Sequence, residues 1–325
     1  MAENTNLNVL TNGGMTEQNR TFYVNQLLQY AEPNLVHRQF AKEIPLPKNN
    51  GQTINIRWLS PFPTVKTDLV EGVTPSATIM DWNNLTATLR QLGQYVPFSD
   101  KVQYTSPDPV IMEVTKKLGD AAGLSIDTLI RDVLVGGSSV MFAPNVADGV
   151  ETENTDMTTM NATATMTVDM LFKASAKLRA NNAPTIDGSY VAIMHPYVAA
   201  DLMRTKDWQD IVKHRDPDKI YIGEIGEIAD IRVVTTTNAK VTEKKAASKT
   251  LSVFSTMIVG KDAYGFTELE GAGLEHIVKP LGYKDELNLV GSIGWKSCCL
   301  AHRLIENYMV RVETTCKTAP TQAEN

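Results

Sequence analysis

The chain has 325 residues, 42% hydrophobic and 21% charged, a globular composition long enough for one large domain or two ordinary ones without staples. Three cysteines are too few for a disulfide framework, and the polar opening "MAENTNLNVLTNGG" lacks the basic and apolar regions of a secretory leader, so a soluble cytosolic product is expected. A net charge of −6, with four basic and four acidic side chains in the first fifty residues, argues against a dedicated nucleic-acid surface. No apolar run approaches the roughly 20 residues of a membrane helix.

In chain order, "TEQNRTFYVNQLLQYAEPNLVHRQF" (16–40) has loosely helical apolar spacing broken at Pro33, which predicts two helices with a bend. His37 reads there as a polar residue on an amphipathic face. "TINIRWL" (53–59) and "NLTATLRQLGQYVPF" (84–98) alternate as strands, and the Pro- and Thr-rich stretch between them (60–82) is a long loop. Together they form an extended hairpin, an arm expected to become ordered only against a neighbouring chain.

The stretch 108–137 carries the strongest helix signal. Pro109 suits a first turn, Val114, Leu118, Ala122, Ile126, Ile130 and Val133 recur on one stripe, and Gly136–Gly137 ends it. Gly119 and Gly123 inside it imply close packing or a bend. Residues 144–165 read as an exposed loop whose acidic residues lack calcium-loop spacing. Thr167 then caps a helix with Val168, Leu171, Phe172, Ser175 and Leu178 on one face.

A mixed region follows: strand 189–196, helix Pro196–Met203, a charged helix near 207–218, and strands 228–236, 250–260 and 273–282, with a basic linker at 240–249. It reads as an α+β unit. The chain returns through 291–314, where Tyr308, Val310 and Val312 share one face and Met309, Arg311 and Glu313 the other.

Motifs that carry chemistry are missing: no phosphate loop, no G-x-S-x-G, no H-E-x-x-H and no C-x-x-C. "GEIGEI" (223–228) precedes a strand, the wrong context for a dinucleotide. His195 stands at a strand end without a nucleophile, and "DPD" (216–218) is a charge-balanced turn. In "WKSCCLAHR" (295–303), Cys298, Cys299 and His302 lie close together, but adjacent cysteines rarely reach one ion. On a strand, Cys298 and His302 share a face while Cys299 points away. Both cysteines are expected to be free, with at least one in the core. No cofactor, metal or catalytic residue is assigned.

The order of a polar N-terminal arm, hairpin arm, very long helix, α+β unit and returning strand resembles the major capsid proteins of tailed phages with the Hong Kong 97-type fold. The stretches "FYVNQLLQYAEPNLVHRQFAKEIPLPKNNGQTINIRW" (22–58), "LVEGVTP" (69–75), "YVPFSDKVQYTSPDPV" (95–110), "MHPYVAADL" (194–202), "GEIGEIADIRVV" (223–234) and "GSIGWK" (291–296) look like successive signatures of the N-four-type podophage capsid family.

The resemblance implies a non-enzymatic shell tile. Residues 1–50 would be the N-terminal arm, 51–98 the extended hairpin (E-loop), 99–165 and 290–318 a peripheral domain with the spine helix, 166–289 an axial domain, and 319–325 a tail. Glu71, Gly72, Val73, Thr74 and Pro75 would touch a neighbouring subunit. The expected partners are copies of the chain in pentamers and hexamers, scaffolding and portal proteins, a decoration protein, and packaged DNA held only non-specifically, with no membrane. The expected location is the virion, assembled in the host cytoplasm. Acidic net charge suits a wall from which DNA is released. An encapsulin-like compartment, or a Cys/His metal- or thiol-dependent hydrolase, is the competing reading.

Overall fold

The computed structural model describes residues 35–49, 51–59, 62, 64–65, 68, 71–74, 76–105, 110–147, 150–215, 226–245, 250–281, 287 and 289–325. The helices expected within 16–34 and the turn at 216–218 lie outside the described residues. A short 3-10 turn (Arg38–Phe40) leads into β1 (Lys42–Glu43). The arm strands β2 (Thr53–Leu59) and β3 (Trp82–Thr88) follow, then β4 (Arg90–Ser99). Next come helix α1 (Asp100–Thr105) and the 26-residue α2 (Val110–Val135).

Three short strands, β5 (Val140–Phe142), β6 (Asn145–Ala147) and β7 (Val150–Thr152), precede α3 (Val168–Ala180), β8 (Tyr190–Met194), α4 (Pro196–Met203) and α5 (Lys206–Arg215). The remainder is strand: β9 (Glu227–Ile228), β10 (Ile231–Thr235), β11 (Val241–Lys245), β12 (Thr250–Val259), β13 (Tyr264–Glu268), β14 (Glu275–Lys279), β15 (Val290–Arg303) and β16 (Met309–Thr315). No described helix is long and apolar enough to cross a membrane.

Two sheets organise these elements. In the first, the long β15 pairs antiparallel with β4 along one edge and with β14 and then β13 along the other, and β1 adds in parallel outside β13. The second runs β5-β16-β12-β8-β10-β9, with β11 on the edge of β12. Each sheet mixes both sequence ranges that the resemblance separates: β13 and β14 lie with β15, whereas β5 and β16 lie with β8 and β12.

Helix α2 joins the two sheets. Its C-terminal half buries Ile126, Ile130 and Leu134 in one core with Val191, Ile193, Met257 and Val259 of the second sheet and Tyr264, Phe266, Cys299 and Ala301 of the first. Its N-terminal half seats Leu118 and Ala122 on Phe98, Ile293 and Trp295. Each fully buried Ile or Leu contributes about 1.5–3 kcal/mol, so this stripe is what holds a helix about 40 Å long in place. On the far side of the second sheet, α3, α4 and α5 press Leu171, Leu178, Leu202 and Trp208 onto Tyr190, Phe254, Ile258, Val310 and Val312.

Several expectations need correction. His37 is not on an amphipathic face but is 1% exposed, held by a carboxylate 90 residues away. The run 84–98 is two strands broken at Leu89, because β3 pairs with β2 and β4 leaves the arm for β15. The supposed loop 144–165 contains the β6–β7 hairpin and buries Met160 and Ala164 on Ala143 and Val253. Phe172 is half exposed on α3, and Thr167 caps that helix without a side-chain bond. The basic linker begins with a paired strand, β11. β13 lies in a stretch where no strand was expected, and 291–314 is two strands in different sheets. Helix α2 runs unbroken, with Gly119 and Gly123 buried, which favours close packing.

Candidate assembly surfaces

Among the described residues the arm strands pair only with each other, from Thr53↔Thr88 to Leu59↔Trp82, with Thr86 Oγ1 donating to Asn55 Oδ1 at 2.8 Å. At the root, the Leu89 amide donates to the Gln52 carbonyl, and Ile54 buries against Leu46 and Leu300 of the body. At and beyond the last pair the described residues include exposed apolar side chains: Trp82 is 55% exposed, Ile79 87% and Val73 62%. Glu71 and Gly72 form a turn in which Gly72 has φ 77°, a left-handed conformation that favours glycine although open space surrounds it. Val73 and Thr74 follow, exposed; Pro75 lies outside the described residues.

A second feature is a buried polar hub, which the sequence reading missed. The carboxylate of Asp127, at the centre of α2, accepts the His37 backbone amide and faces His37 Nδ1, both at 2.7 Å, and accepts Asn238 Nδ2 at 2.8 Å. One helical turn on, Arg131 donates to Asn238 Oδ1 at 3.0 Å. Tyr264 donates its hydroxyl to the His37 carbonyl at 2.5 Å. The available signal was an opposite-charge pair, Asp127 and Arg131, set four apart beside the apolar stripe of Ile126 and Ile130. In a solvated helix that pair is ordinary, but on this face it demands buried partners.

The tail after β16 is fastened by Asp201 on α4. Its carboxylate accepts from Cys316 Sγ at 3.0 Å, the Lys317 amide at 2.6 Å and Thr318 Oγ1 at 2.6 Å. Burial alone would raise this carboxyl, but the bonds from Cys316, Thr318 and Lys317 outweigh it and hold the acid below its ordinary range. Cys316, buried and donating to that acid, has its thiol pushed up to about 11.

The Cys/His cluster is a packing feature. Cys299 is fully buried under α2, whereas Cys298 and His302 lie on the opposite face of β15, and all three cysteines of the chain are free. His302 is buried over Gly265, whose added Cβ would meet the ring, and neither ring nitrogen has a hydrogen-bond partner. Burial raises the Cys299 thiol, the opposite of what a nucleophile needs. His195 caps α4, its Nδ1 accepting the Tyr197 amide at 3.2 Å. Among the described residues, no group of three His, Cys, Asp or Glu could hold a metal ion.

A long helix bridging two sheets, with a paired arm thrown out from the body, defines a class of shell-forming protein with the Hong Kong 97-type fold. The capsid of Ralstonia phage GP4 is similar, with TM-score 0.65 and 14% identity over 88% of this chain and 92% of that one. So is the capsid of cyanophage P-SCSP1u, with TM-score 0.64 and 12% identity over 84% and 86%. A virus-like particle from Pyrococcus furiosus matches less well, with TM-score 0.52 and 9% identity over 91% and 99%. No curated protein matches the sequence. The model of a phage capsid protein family matches residues 84–296, so the chain belongs to that family and is a major capsid protein.

Proposed function

We propose that the chain is the repeating tile of an icosahedral phage head, assembling as pentamers and hexamers around double-stranded DNA in the host cytoplasm. Scaffolding and portal proteins are its assembly partners, and a decoration protein is a further one. The observation that carries this reading is the arm. A two-stranded hairpin is marginal alone, and this one carries Val73, Ile79, Met80 and Trp82 exposed, so it needs a surface on another subunit. Glu71, Gly72, Val73, Thr74 and Pro75 are assigned that contact. The first sheet with α2 takes the peripheral part, and the second sheet with α3, α4 and α5 the axial part around the symmetry axes.

Closed shells accumulate many modest, repeated contacts, and an arm gives each subunit additional neighbours. The role is structural, not catalytic. A net charge of −6 leaves DNA held only non-specifically. The chain expressed alone, followed by size-exclusion chromatography and negative-stain microscopy, should give shells, tubes or capsomers. A strictly monomeric species under every condition would count against the reading.

A further inference from the structure

Two segments distant in sequence converge on one turn of α2. The N-terminal strap, residues 35–46, lies along the edge of β13: the Ile44 amide donates to the Phe266 carbonyl and the Leu46 amide to the Glu268 carbonyl, at 3.0 and 2.9 Å. Arg38 adds paired bonds to Glu268 at 2.7 and 3.0 Å. Its deepest point is His37, which supplies two of the three bonds to the Asp127 carboxylate, a group with no exposure of its own.

The tail comes from the other direction. Ser252 and Gln322 exchange bonds through the Ser252 hydroxyl, and Asn325 closes the run. Asn325 Oδ1 accepts the Val241 amide at 2.9 Å, Asn325 Nδ2 donates to the Ala239 carbonyl at 3.0 Å, and its main-chain oxygen accepts from Arg131 at 3.3 Å and from Lys240.

Asn238 stands between the two. It binds Asp127 through its amide nitrogen and Arg131 through its amide oxygen, and the next backbone groups in the same turn, the Ala239 carbonyl and the Val241 amide, are those that grip Asn325. We propose that docking of the strap and docking of the tail are energetically coupled through Asp127, Asn238 and Arg131, so that drawing residues 35–46 away from the body loosens the tail.

The physical cause is the cost of a buried carboxylate. With the strap withdrawn, Asp127 loses both the ring and the backbone bond of His37 and keeps only the one from Asn238, so it must draw Asn238 towards it or admit water, which moves the turn that holds Asn325. Coupling of this kind is reciprocal: freeing the tail must weaken the strap by the same factor. Combined with the shell reading above, on which only this consequence rests, a subunit whose N-terminal segment engages another molecule presents a released tail.

The test is amide hydrogen exchange on the full chain, which reads the coupling whether or not particles form. His37→Ala, which removes the ring bond to Asp127 and leaves the backbone amide bond, should speed exchange about tenfold at the Val241 and Gln322 amides as well as at Ile44 and Leu46, while α3 stays at the wild-type rate. Asn325→Ala should speed Ile44 and Leu46 in turn. Tyr264→Phe, which removes only the hydroxyl on the His37 carbonyl, should give the same pattern in smaller measure and carries the test if His37→Ala fails to fold. Fast exchange confined to the strap in His37→Ala or Tyr264→Phe, and to the tail in Asn325→Ala, would overturn the proposal.

Discussion

His276, His302 and His195 are each held below the ordinary histidine value of 6.5 by burial, His276 down to about 4. A folded-state value below the unfolded one means that the unfolded chain takes up protons first. Stability is therefore full above 6.5 and falls as pH drops from there towards the folded value. Asp201 adds a second loss lower down, since its depressed carboxyl favours the fold only while ionised. The expected outcome is a urea midpoint clearly lower at about pH 5 than at about pH 7.5, and a smaller drop in a variant carrying His276→Gln and His302→Gln. An equal drop in that variant would place the acid sensitivity elsewhere. Removing the Asp201 carboxylate with Asp201→Ala strips four donors, the Cys316 thiol, the Lys317 and Thr318 amides and the Thr318 hydroxyl, of their acceptor and should cost about 1–3 kcal/mol, read from the same denaturation curves at neutral pH.

At the scale of elements, "GSIGWK" has a mechanical explanation. On β15, a Cβ at Gly294 would stand 2.8 Å from the Gln94 carbonyl oxygen and 2.8 Å from Tyr95 Cβ, and one at Gly291 would enter the Phe98 ring. Backbone cannot yield as a side chain can, so Gly294→Ala should part β15 from β4 and cost about 1–3 kcal/mol in denaturant unfolding. The end of α2 is likewise built from afar, with Arg303 donating to the Val133 carbonyl at 3.2 Å and Arg311 to Val135. Both meet carbonyls that a helix leaves open at its C-terminus.

Such contacts mark the limit of what the sequence discloses. The apolar stripe of α2, the alternation of β2 and the Pro at the head of α4 are local signals, and those elements appear where the sequence puts them. The alternation of Val310 and Val312 against Met309 also holds, each set entering a different core. The switch from β3 to β4 at Leu89 does not show in the sequence, because both strands alternate alike and only their partners differ. The burial of His37 is illegible for the same reason: its acceptor is 90 residues away. The stretch Glu71–Pro75 was readable only as part of the long loop 60–82; the contact proposed for it would lie on another molecule, which the sequence of one chain does not display.

At the scale of the whole molecule, the contact proposed for the arm would separate folding from assembly. The exposed apolar side chains beyond Leu59 and Trp82 contribute almost nothing to the core of the chain that bears them, and the proposed shell contact would bury them on a neighbour. Replacing Val73 and Ile79 together by Asp should therefore leave the unfolding free energy of the isolated chain within about 0.5 kcal/mol of wild type, as for surface changes. The same pair puts two charges into every copy of a repeated apolar contact, and the penalty multiplies with the number of arms in the particle. Negative-stain images and sedimentation should show free subunits or small oligomers where the wild-type chain gives particles. Normal particles from that variant would mean that the arm tip is not a contact. A destabilised subunit would mean that the tip folds back on its own body, and Glu71–Pro75 would then belong to the tile and not to the joint between tiles.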